Sequence, residues 1–104
     1  MVQLASRMLA VLGVLLLPGV VTAGTSAAHG MALAYACAAC HGPNGHSQGA
    51  IPSIDKLPPE DFVAALKAFR ADSRKGTVMN RIAKGLDDTE IDAIAAYFAT
   101  SRQH

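Results

Sequence analysis

The chain has 104 residues, 51% of them hydrophobic, and a formal net charge of +1 with histidine neutral. That length holds at most one domain. Without a basic excess, and with only 5% aromatic residues, it lacks the electrostatic footprint of a nucleic-acid binder.

Residues 1–23 read as a secretory leader: Arg7 near the start, an apolar run over 8–17, a Pro18-Gly19 break, then Val21-Thr22-Ala23 before Gly24. The run is too short for a bilayer core, which takes roughly 20 apolar residues. Cleavage is expected after Ala23, leaving residues 24–104 as the mature domain in the periplasm, with no stable membrane insertion. The competing reading is an uncleaved N-terminal anchor. Small residues over 25–28 are expected to fray. A mature chain this short rarely builds enough core unaided. Its two cysteines, Cys37 and Cys40, would close too small a loop to constrain the unfolded chain. The staple has to be something else.

Three helices are expected and no strand. The first spans about 29–40 in HGMALAYACAAC and is stopped by Gly42-Pro43-Asn44-Gly45. The segment 42–58 reads as an irregular loop, long enough in so small a domain to suggest that it wraps something. The second helix lies in LPPEDFVAALKAFR, with Pro59 in its first turn and Glu60 and Asp61 near the positive end of the dipole. Phe62, Ala65, Leu66 and Phe69 make its core stripe. TVMNRIAKG allows one short helical turn. The third helix is capped by Asp87, with Glu90 reaching back to the cap amide and Leu86 packing on Ile91. Ile91, Ile94, Ala95 and Phe98 form its buried stripe.

Cys37, Cys40 and His41 share one side of the first helix, at i, i+3 and i+4. Two thiols so placed can each add across a vinyl group of a haem while the imidazole binds iron, and C-x-x-C-H is read as a c-type attachment site. Two other chemistries compete. A redox dithiol would want a βαβ context, which is missing, and a zinc site from Cys37, Cys40, His41 and His46 matches no common spacing.

The sixth iron position has one ready candidate. Met31 lies on the attachment helix itself and cannot readily cross the ring, whereas Met79 follows His41 by 38 residues and can reach. A thioether opposite histidine fills both axial positions and suits electron transfer. His46, His29 and His104 are alternatives, and Met79 as plain core filler is the bland one. The other ring nitrogen of His41 needs an acceptor, for which the Pro52 carbonyl is the candidate. Phe62, Phe69, Tyr97 and Phe98 are expected mainly to pack core. Arg70, Arg74, Lys75, Arg81 and Lys84 precede an acidic block of Asp87, Asp88, Glu90 and Asp92; a solvated face is favoured over a docking patch.

ACAACHGPNG, then IPSI, a helix ending in FR, and TVMNRIAKGLDDTEIDAIAAYFA resemble class I cytochromes c along the mature chain. More narrowly, SQGAIPSI, LKAFRADSRKGTVMNRIAKGLDDTEI and IAAYFA resemble the cytochrome subunit of flavocytochrome c sulfide dehydrogenases. The resemblance implies an all-α fold of three to four helices around one covalent haem c. It also implies thioethers at Cys37 and Cys40, axial ligands His41 and Met79, and Pro52 beside the histidine. Such a subunit accepts electrons from a flavoprotein (FAD) subunit that oxidises sulfide and passes them to a downstream cytochrome or oxidase, and is no enzyme by itself. With one C-x-x-C-H and no internal repeat, this would be a single-haem version. The alternative within the class is a free periplasmic electron carrier serving an oxidase or reductase.

Overall fold

The computed structural model describes residues 13–19 and 23–102, with side chains in the second stretch from residue 26 onward. Arg7, the first part of the expected leader's apolar run, its Val21-Thr22 end and the candidate ligand His104 lie outside the described residues. Residues 13–19 form no helix. No described helix is long and apolar enough to cross a membrane.

Four α-helices and one 3-10 turn follow in order: α1 Ala23–His41, the turn Pro43–Gly45, α2 Pro59–Arg70, α3 Met79–Ala83 and α4 Asp88–Ser101. There is no strand among the described residues. The first helix begins at Ala23, earlier than expected, so 25–28 are helical and not frayed. Alanine costs the helix nothing in propensity, and α4 lies alongside: Ser26 and Ala27 border a shallow groove with Ala93, Ala96, Tyr97 and Thr100. The two helices approach closely at Gly30, where a Cβ would stand 2.7 Å from the Ala93 carbonyl oxygen. Gly30→Ala should therefore force α1 and α4 apart and cost about 1–3 kcal/mol, as overpacking does. A fall in the holoprotein's denaturant midpoint at unchanged m checks this; an unmoved midpoint would mean that the crossing is loose.

The most locally specified element is α4. Asp87 Oδ1 accepts from the Glu90 amide at 2.8 Å and Glu90 Oε2 accepts from the Asp87 amide at 3.0 Å, a complete capping box. Arg70 at the end of α2 donates to the Leu86 carbonyl at 3.0 Å and to Asp88 at 2.5 Å. This ties the end of α2 to the start of α4. The Arg70 guanidinium, helped by Lys67, holds the Asp88 carboxyl below its usual range.

Phe62 and Leu66 of α2 meet Ile91, Ile94, Ala95 and Phe98 of α4, with Ala34 and Ala83 completing the buried set. Both expected stripes point inward, although Ala65 and Phe69 are only half-buried. The Phe62 and Phe98 rings lie 5.5 Å apart, and Tyr97 meets Phe98 edge-on at the same distance. Each large buried side chain contributes about 1.5–3 kcal/mol. Among the described residues, three of the eight buried hydrophobic ones are alanine, so the polypeptide core is thin. That agrees with a fold stapled by a cofactor.

Candidate functional site

Helix α1 runs through His41 and so carries Cys37, Cys40 and His41 on its last turns. The chain then reverses at once. Gly42 has φ 92°, and a Cβ there would stand 2.0 Å from the His46 carbonyl oxygen, so only glycine fits. Asn44 and Gly45 are also left-handed, and the Gly45 carbonyl accepts from the Ile54 and Asp55 amides at 2.8 and 3.2 Å. The segment expected to be structureless is thus a closed loop pinned across its base.

Pinning brings Pro52 back to the end of α1. His41 Nδ1 lies 2.6 Å from the Pro52 carbonyl oxygen, which can only accept, so the ring proton sits on Nδ1. Nε2 is left as a lone-pair donor with its ring orientation set, as an iron ligand requires.

The competing chemistries lose ground in the same geometry. Burial pushes the Cys37 thiol up, and the neighbouring Cys40 adds to the rise; a redox thiol needs the opposite shift. Among the described residues, no three or more His, Cys, Asp or Glu side chains are grouped to hold a metal ion. His46 is drawn to Asp55, 3.2 Å away, rather than to the cysteines, and His29 pairs with Glu90 at 3.1 Å.

Met79 is the first residue of α3, half-buried and packed against the same core cluster that Cys37 borders. Several apolar side chains on the flanking segments are exposed. Ile51 and Leu57 of the loop are 45% and 37% exposed, and Val78 and Ile82 beside Met79 are 58% and 48% exposed. Stranded apolar side chains on the loop that orients the imidazole and on the segment that carries the thioether fit a large flat apolar group such as porphyrin.

The basic residues do not form one free patch. Lys84 donates to Asp72 at 2.6 Å, Arg70 and Lys67 engage Asp88, and the Arg74 guanidinium sits 4.8 Å above the Phe69 ring. Asn80, beside Met79, attracted no attention in the sequence, yet its amide is the most connected side chain of this region.

A family model for cytochrome c matches residues 27–102. The chain belongs to the cytochrome c family. It is a class I cytochrome carrying covalently bound haem c, with the electron-transfer role of that family. The cytochrome is 48% identical over 69 residues to the cytochrome subunit of sulfide dehydrogenase from Chlorobaculum tepidum, covering 66% of this chain and 63% of that one. It is 38% identical over 71 residues to the thiosulfate dehydrogenase electron acceptor of Stutzerimonas stutzeri, covering 64% of this chain and 33% of the relative. Over 70 residues it is 37% identical to cytochrome c-554(548) of Halomonas halodenitrificans, covering 62% and 82%. The matched region thus spans less than two thirds of the first two relatives.

Proposed function

We propose that this cytochrome is the haem subunit of a flavoprotein that oxidises sulfide, taking electrons from the flavin and passing them to a downstream cytochrome or oxidase. The observation that carries this reading is the 48% identity to a sulfide dehydrogenase cytochrome subunit. In the same proposal residues 1–23 are an export leader removed after Ala23, and the mature domain, residues 24–104, works in the periplasm. The charged, apolar and small-residue zones of that leader support this part.

Within the site each residue has one task. Cys37 and Cys40 would hold the group to α1 through thioethers, the thiols adding across its two vinyl groups so that each S–H becomes C–S and C–H. His41 offers Nε2 to the iron while Pro52, accepting from Nδ1, stops the ring from turning and strengthens it as a donor. Met79 would supply a soft thioether to the iron, and the exposed apolar side chains of the loop and of α3 would be available to cover the group. When bound, haem iron supplies reversible one-electron chemistry. Held by His41 and Met79, the iron would leave the protein little to reorganise on electron transfer.

The 82% coverage of cytochrome c-554(548) favours a second reading, a free diffusible carrier. Purification from the native source separates the two. A subunit is expected to elute with an FAD-containing polypeptide and to be reduced when sulfide is added. Elution as a lone species of no more than the chain's 10.8 kDa, with its haem indifferent to sulfide, would establish the carrier and exclude the subunit.

A further inference from the structure

The segment 71–78 joins α2 to α3 and ends at Met79. Its first half closes α2: Asp72 is left-handed at φ 58°, and the Ser73 amide donates back to the Ala68 carbonyl at 3.0 Å. Its second half depends on one side chain. Asn80 Oδ1 accepts from the Gly76 amide at 2.8 Å, while Nδ2 donates to the Arg74 carbonyl at 2.8 Å, the Phe69 carbonyl at 3.1 Å and Asp72 Oδ1 at 3.2 Å. Gly76 has no room for a side chain, since a Cβ would stand 2.9 Å from the Phe69 ring. The strap is therefore drawn tightly over Phe69, with a single half-buried amide as its clasp.

From this geometry we infer that Asn80 is a positioning residue for the axial ligand, acting as the latch that keeps Met79 from leaving the iron and outside ligands from replacing it. The inference rests on Met79 ligation, as proposed above. Asn80 follows Met79 directly in the first turn of α3, so fixing the Asn80 side chain to three points of the strap and to the Phe69 carbonyl of α2 fixes the backbone that presents the thioether. Without the latch the ends remain in place. Lys84 still holds Asp72 and Ala83 is still buried, so the strap can swing without unfolding the domain. Detachment then competes with ligation, and a small nitrogen ligand from solvent captures the open position.

Imidazole binding to the oxidised holoprotein reads this directly. Asn80→Ala should retain the helical far-UV signature and, without added ligand, the weak far-red iron–sulfur absorption. It should nevertheless bind imidazole on the order of tenfold to a hundredfold more tightly, the effect of losing several neutral hydrogen bonds. Asn80→Asp keeps the acceptor for Gly76 but none of the donations, and should lie between the two; it also serves if the alanine variant does not fold. In a Met79→Ala background Asn80→Ala should change imidazole affinity by less than about twofold, because there is no thioether left to latch. An affinity within about twofold of the parent for both Asn80 variants would overturn the latch, even if their denaturant midpoints fall, since that pattern belongs to a purely structural residue. An equal gain in the Met79→Ala background would overturn it as well. Far-red absorption that survives Met79→Ala would instead overturn the ligand assignment, independently of Asn80.

Discussion

Replacing both Cys37 and Cys40 with alanine should leave a chain that retains no haem through denaturing electrophoresis and does not reach the native helical fold. Two effects combine. The thioethers disappear, so haem is held only by axial bonds and apolar contact. The polypeptide then has to fold around a core that, among the described residues, has eight buried hydrophobic side chains, three of them alanine, while Ile51, Leu57, Val78 and Ile82 stay in solvent. A domain this small has little stability to lose. Haem staining and far-UV circular dichroism of the purified variant check the prediction. A native-like, fully helical apoprotein would show that the packing between α2 and α4 suffices alone. Single replacements should be milder, because one thioether still confines haem to α1.

Met79→Ala should have the second largest effect, on chemistry rather than on folding. A thioether is a soft, weak donor and favours reduced iron, whereas the water or hydroxide that would take its place favours oxidised iron. The reduction potential should therefore fall, and the weak far-red absorption of the oxidised protein should vanish. Met79 is half-buried at the edge of the core, so the stability cost should stay below the roughly 2–5 kcal/mol of a fully buried methionine truncation. Electrochemistry and visible spectroscopy on one sample decide it: an unchanged potential together with retained absorption would move the ligand elsewhere. His29 and His46 are poor substitutes, each already paired with a carboxylate.

How much was legible in advance depended on how local the cause was. Helix α4 was readable because Asp87, Glu90 and the apolar stripe act within a few residues of one another, and the capping box forms as its sequence suggests. Likewise, Pro59 opens α2 where proline costs least. The attachment motif was readable because covalent chemistry imposes a fixed spacing on one helical turn. The start of α1 was misplaced because its first turns are small residues whose helicity is supported by α4, some 65 residues further on in sequence.

By itself, then, the amino-acid sequence determined the class of the protein: all helices, one C-x-x-C-H on the first of them, and a methionine 38 residues beyond the histidine. Those features are patterns of residue type at short spacing, and they survive without knowledge of how the chain closes. Only the tertiary structure decided how the basic cluster is spent, with Arg70, Arg74 and Lys84 turned to internal partners. The same holds for the pinned loop that sets the tautomer of His41, and for Asn80. An asparagine beside a methionine has no periodicity or spacing to mark it. It becomes a latch only when the end of α2, the strap and the first turn of α3 are brought within hydrogen-bonding distance of one amide.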